Sequence, residues 1–151
     1  MVKEKKEYHE NGKLKFEGEY LNGKRNGKGK EYYNNGKLEF EGEYIDGKKN
    51  GKIKEYDYNG KLEFEGEYLN GIRWNGKGKE NCFLLKFEGE YLNGKRNGKV
   101  KEYHDNGKLK FEGEYLNGIK IEGKGYDEED NLIYSIKNWL EILIWPKHKF
   151  P

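Results

Sequence analysis

Alanine, glutamine and threonine are absent from the sequence, and Ser135 is its only serine. Without alanine the chain lacks the best helix former, which favours strands. The dominance of Lys, Asn, Ile, Tyr and Phe fits an A/T-rich coding sequence equally well. Cys82 is the single cysteine, so no internal disulfide framework exists and a reducing compartment is the default. Long apolar runs are missing too. The N-terminus, Met-Val-Lys-Glu-Lys-Lys-Glu, lacks the apolar segment of a secretory signal. The apolar run near Trp139 to Trp145 is far shorter than the roughly 20 residues that cross a bilayer as a helix. The expectation is a soluble, cytoplasmic protein.

Apolar residues make up only 32 % and charged residues 38 %, a balance that by itself points toward disorder. The 15 % of aromatic residues argue against it, because they are placed at a strict period and can bury surface. The net charge of +2 gives no general attraction to nucleic acid or membrane.

What is present is a repeat. Phe-Glu-Gly-Glu-Tyr-Leu-Asn-Gly-Lys-Arg-Asn-Gly, from Phe16 to Gly27, returns from Phe40, Phe64, Phe87 and Phe111 at spacings of 24, 24, 23 and 24 residues. Residues 3 to 13 resemble the second half of a unit whose first half is missing. Each unit carries two turn signals: the double Asn-Gly of Asn22 to Gly27, and a single one at Asn35-Gly36. These leave two strands of about six to eight residues per unit.

Closing the first hairpin symmetrically about Lys24-Arg25 sets Tyr20 opposite Gly29, Gly18 opposite Glu31 and Phe16 opposite Tyr33, with Glu19 opposite Lys30 on the other face. Closing the second about Asn35-Gly36 sets Tyr33 opposite Leu38, Glu31 opposite Phe40 and Gly29 opposite Gly42, with Lys30 against Glu41 and Lys28 against Glu43. The two closures agree. One face gathers Phe16, Tyr20, Tyr33, Phe40 and Tyr44, with glycines that let rings lie flat across the backbone; the other becomes rows of Glu and Lys. A slip of one residue would scatter the rings and oppose like charges.

Two units depart from the pattern. The third has one extra residue in its first turn (Gly71 to Gly76) and loses the second Asn-Gly, reading Asn81-Cys82-Phe83-Leu84, which predicts a tighter or bulged connection and a bend. The fifth shares the longer turn, and Tyr134-Ser135-Ile136-Lys137-Asn138 reads as a worn copy of the Phe-Glu-Gly-Glu-Tyr strand. From residue 139 the composition changes. Trp139, Leu140, Ile142, Leu143, Ile144 and Trp145 form a candidate cap over the aromatic face, a docking peptide, or a frame continued past its ancestral end.

An aromatic residue, Glu-Gly-Glu, a second aromatic, then Asn-Gly-Lys-Arg and Gly-x-Gly, repeated five times over roughly residues 5 to 138, resembles the MORN repeat family. The second half-unit, Tyr-x-x-Asn-Gly-Lys-Leu, is closer to the variant common in bacteria and viruses. The resemblance implies an extended single-layer sheet of hairpins, with roles in scaffolding, protein contacts and phospholipid binding; some bacterial relatives are labelled antitoxin-like. Family enzymes carry their chemistry on a separate domain, for which no room exists here.

The basic residues Lys24, Arg25, Lys48, Lys49, Arg73, Lys95, Arg96 and Lys120 fall at one end of successive hairpins. They form either a solvated row or a candidate contact for anionic headgroups or an acidic partner. Gly71 to Lys77 nearly spells a phosphate loop, but Gly78 stands where a magnesium-binding Ser or Thr belongs. His9, His104 and His148 are scattered and suggest no metal site. Asp127 to Asn131 lacks the glycine and the distal Glu of a calcium loop. Ser135 and Cys82 read as packing residues. The reading is an all-β, elongated, single-layer antiparallel meander of β-hairpin repeats (residues 1–138) with a capping or docking tail (139–151). It needs no cofactor or metal and is non-enzymatic. It acts as a protein-interaction or scaffolding module whose aromatic face or capping segment contacts an unidentified protein partner; an anionic membrane surface and an antitoxin or immunity role are the alternatives. Oligomeric state stays open.

Overall fold

The computed structural model describes residues 1–82 and 84–137. The segment from Trp139 to Trp145, with the cap or docking role assigned to it, lies outside the described residues, as does His148. The described residues form twelve strands and no helix: β1 (Lys3–Tyr8), β2 (Leu14–Leu21), β3 (Lys24–Tyr32), β4 (Leu38–Ile45), β5 (Lys48–Tyr56), β6 (Leu62–Leu69), β7 (Ile72–Cys82), β8 (Leu84–Leu92), β9 (Lys95–Tyr103), β10 (Leu109–Leu116), β11 (Ile119–Tyr126) and β12 (Leu132–Ile136). They follow one another through an antiparallel sheet in sequence order, the meander that the two turn signals per repeat predict. Two compact units emerge: Met1–Lys79 with Tyr91–Gly94, and Glu80–Glu90 with the chain from Lys95 onward.

The first turn of each repeat is shorter than expected. Asn22 and Gly23 both take positive φ, 50° and 81°, so they make a two-residue turn whose twist suits a hairpin. Lys24 and Arg25 are therefore strand residues, not turn residues, and β3 has nine residues instead of six to eight. The second Asn-Gly, Asn26-Gly27, lies inside β3. There three residues of β3 stand against Glu19, because Gly18 pairs with Gly29 while Tyr20 pairs with Arg25. Gly27 absorbs the bulge at φ 102°. The expected partners Tyr20/Gly29, Gly18/Glu31, Phe16/Tyr33 and Glu19/Lys30 are thus corrected by two residues, to Gly18/Gly29, Phe16/Glu31 and Glu17/Lys30. A shift of two conserves the faces, so the aromatic side stays as read.

The second turn follows the expected register from Lys28/Glu43 to Glu31/Phe40. Tyr33 is the exception. A bulge sets Tyr32 against Leu38, and Tyr33 opens the turn instead, its N–H bonding the Lys37 carbonyl at 2.9 Å. The extra residue of the third repeat leaves the Asn70-Gly71 turn unchanged and moves the bulge: Tyr68 pairs with Arg73 and Glu67 with Asn75, leaving Trp74 over. β10 and β11 repeat that arrangement. In the same repeat only residue 83 separates β7 from β8.

Phe16, Phe40, Phe64, Phe87 and Phe111 are the largest fully buried side chains. Each full burial is worth roughly 1.5–3 kcal/mol. Phe16 lies flat over Gly18 and Gly29, as a Cβ built on Gly18 would come within 2.8 Å of its ring and 2.5 Å of the Lys28 carbonyl oxygen. In the first unit Tyr44 meets Phe16 and Phe40 edge-on, at centroid distances of 5.6 and 5.4 Å. In the second unit Tyr134 stacks on Phe111 at 6.5 Å, yet it stays 40 % exposed, unlike the repeat Phe residues whose place the worn-repeat reading gives it.

Candidate interaction surface

The aromatic face also carries charge, and that charge is consumed internally. In the first unit the Arg25 guanidinium lies 3.9 Å from the centre of the Phe16 ring, Lys49 Nζ 4.0 Å from Phe40, and Arg73 4.6 Å from Phe64. Between these cations stand carboxylates. Arg25 donates to both oxygens of Glu7 at 3.1 Å and to Glu31 at 2.7 Å. Lys49 lies between Glu31 (3.6 Å) and Glu55 (3.9 Å), and Arg73 reaches Glu55 at 2.8 Å. The hydroxyls of Tyr20, Tyr44 and Tyr68 donate to Glu7, Glu31 and Glu55 in turn.

The second unit has its own ladder. Arg96 pairs with Glu80 (2.7 Å) and Glu102 (3.2 Å), and Lys120 joins Glu102 at 2.8 Å, over the rings of Phe87 and Phe111. Among the described residues no buried side-chain nitrogen or oxygen lacks a partner.

The ionisation of these groups follows from the ladder. Burial would lower the pKa of Arg25, but its bonds to Glu7 and Tyr20 and the nearby Glu31 charge raise it. Burial raises the Glu102 carboxyl, and the bonds from Lys120 and Tyr115 outweigh it, leaving that pKa below the ordinary value. On the other face Tyr32 is pushed up to about 12, by burial first and then by its bond to Glu17.

The eight basic residues of the expected row therefore divide. Arg25, Lys49, Arg73, Arg96 and Lys120 are half-buried in the ladders. Lys24, Lys48 and Lys95 stay exposed, and Lys24 pairs with Asp46 at 2.7 Å. The acidic partners Glu31, Glu55 and Glu102 escaped the sequence reading. The signal was their own period, matched to that of the second basic residue of each turn.

The opposite face of the first unit holds a trough of 1020 Å³. Its floor is crossed by an unbroken row, Lys6, Glu17, Lys30, Glu41, Lys54 and Glu65, one residue per strand, each directly opposite the next. A second, shorter row pairs Lys28 with Glu43 and Lys52 with Glu67. Few of these charges close up on one another. Lys54 reaches Glu65 at 3.5 Å and Lys6 reaches Glu17 at 4.0 Å. Among the described residues, Lys28, Lys30 and Lys52 have no ion pair.

The turn ends serve to join repeats. Asn26 accepts from the Asp46 N–H at 3.2 Å, and the Gly47 N–H reaches the Arg25 carbonyl at 2.8 Å. At the other end Asn11 donates to the Asn34 carbonyl and Asn35 to that of Tyr58. His9 Nε2 meets the Tyr32 carbonyl at 2.7 Å, and His104 meets that of Tyr126 at 2.9 Å, so both serve the turns. Among the described residues no group of three or more His, Cys, Asp or Glu is placed to hold a metal ion. No described helix is long and apolar enough to cross a membrane.

The pattern described as a MORN repeat variant matches residues 1–22, 49–70 and 96–117, and that of the MORN repeat matches residues 16–37. The chain belongs to the MORN repeat family. The matched stretches run across the Asn-Gly turns and the Phe-Glu-Gly-Glu-Tyr strands described above. No curated protein was found to match the chain. MORN repeats are associated with protein- and membrane-binding roles, and theirs is not an enzyme family.

Proposed function

We propose that this MORN array is a non-enzymatic scaffold that holds a protein partner on the charged face of its first unit. One observation carries the reading: the aromatic face uses its cations and carboxylates on itself, whereas the trough presents Lys28, Lys30 and Lys52 without ion pairs. The anionic-membrane alternative keeps less of its expected row, since five of the eight basic residues serve the ladders.

The test captures partners from source cells with the intact chain and with a Lys30→Glu/Lys52→Glu variant, beside sedimentation with phosphatidylserine vesicles. A protein held by the intact chain and lost from the variant supports the reading. Binding to vesicles with no protein captured overturns it. Deleting residues 139–151 in a third arm assigns the docking to Trp139–Trp145 if capture is lost there while the charge variant retains it.

A further inference from the structure

We propose that the trough of the first unit receives an α-helix of the partner, laid across the strands and carrying acidic and basic side chains in alternation every three to four residues. The inference rests on the protein-binding reading and adds the chemistry and geometry of the occupant. Charge sets the direction. Along each strand from β2 to β6 the trough keeps a single sign, as with Lys28 and Lys30 on β3 or Glu41 and Glu43 on β4; only β1 mixes signs, with Glu4 beside Lys6. Across the strands the sign changes at every step from Lys6 to Glu65. A segment parallel to the strands would meet one charge beneath it and the opposite charge on both flanks. A segment crossing them meets a regular alternation.

Spacing sets the conformation. Neighbouring strands lie about 4.8 Å apart. A helix brings a side chain back to the same side about every 5.4 Å. Laid along the row, it drifts by about 3 Å over five strand intervals, within the reach of Lys and Glu side chains. An extended segment returns to the same side about every 6.8 Å and drifts by about 10 Å, two whole rows.

Beyond the trough, toward the Asn-Gly turns, the same face repeats the ratio. Leu21, Ile45 and Leu69 alternate with Tyr20, Tyr44 and Tyr68 and so point to the trough side; Ile45 is 57 % and Leu69 39 % exposed. They recur every second strand, about 9.6 Å, close to the roughly 10.8 Å of two turns of that helix. The partner's helix therefore carries apolar residues seven apart beside its alternating charges. Its acidic side chains meet Lys28, Lys30 and Lys52.

Fluorescence anisotropy with labelled synthetic peptides of about 18 residues, long enough for five strand intervals, tests this on the full chain. The alternating peptide is compared with one of equal composition whose acids and bases are segregated into halves, and with an alternating peptide interrupted by proline. The expected result is that the alternating helix binds at least roughly tenfold more tightly than either control. That advantage disappears in Lys30→Glu/Lys52→Glu protein whose circular dichroism and urea midpoint match the parent. Equal binding of the segregated peptide, or no binding of any peptide, overturns the helix. So does tighter binding of the proline peptide, or displacement of the alternating peptide by phosphatidylserine vesicles. The capture experiment above decides the broader reading separately, because a partner lost on charge reversal stands whether or not any helix binds.

Discussion

Glu39 shows how a single residue sets the pH response of the sheet. It is the extra residue at the bulge of β4, between Phe40 opposite Glu31 and Leu38 opposite Tyr32. Burial raises its pKa, and the charge of Glu31 raises it further. The fold thus holds this proton more tightly than the unfolded chain does. Its contribution is fully present below the unfolded value and is lost as pH rises through the folded one. Glu39→Gln is expected to stabilise the protein at about pH 7 and to change nothing at about pH 3. Urea midpoints at the two pH values check it. Glu102 has the opposite sign: its depressed pKa gives stability present above the unfolded value and lost as pH falls through the folded one. Glu102→Gln should therefore be destabilising at about pH 7 and flatten the acid limb of the stability curve. A variant as stable as the parent at neutral pH would show that the second ladder contributes nothing.

At the scale of the hairpin, two glycines of one repeat have different jobs. Gly18 sits where a Cβ would press on the Lys28 carbonyl oxygen at 2.5 Å, the Gly29 Cα at 2.7 Å and the Phe16 ring at 2.8 Å. Two of those neighbours are backbone and have little freedom to move, so Gly18→Ala is expected to cost about 3 kcal/mol, the upper part of the range for overpacking. Gly23 has open space around it and needs only its positive φ of 81°; Gly23→Ala should cost about 1 kcal/mol. Denaturant titration of the two variants settles the order. The same contrast explains what the sequence concealed. Asn22-Gly23 and Asn26-Gly27 look alike because turn and bulge both call for positive φ, and nothing in the residues says which pair turns the chain. Placing the turn at the centre of the six residues displaced the partners of Phe16 to Gly18 by two and that of Tyr20, beyond the bulge, by four. The faces came through because side chains alternate with period two. Tyr33 fared differently: a one-residue bulge precedes it, and odd shifts are invisible to a pattern read by alternation.

Across the whole chain the aromatic face holds the buried Phe series, and the proposed function gives recognition to the opposite face of the first unit. The Phe series, the glycines beneath it and the charge rows were legible because each recurs with the repeat. The ladders were not, since ring-stacked Arg25 and exposed Lys24 are adjacent basic residues that only the strand's alternation separates. The functional consequence is quantitative. Exposed cross-strand ion pairs contribute at most about 0.2–1 kcal/mol each, whereas emptying a buried Phe site costs about 3–5 kcal/mol. Replacing Glu41, Glu43, Lys52 and Lys54 together by glutamine is therefore expected to cost less than Phe40→Ala alone, with the variant remaining folded by circular dichroism. Such a protein should keep its sheet and lose its partner. If the quadruple variant unfolds more readily than Phe40→Ala, the charge rows hold the sheet together, and the trough lysines are structural elements instead of a surface left open for binding.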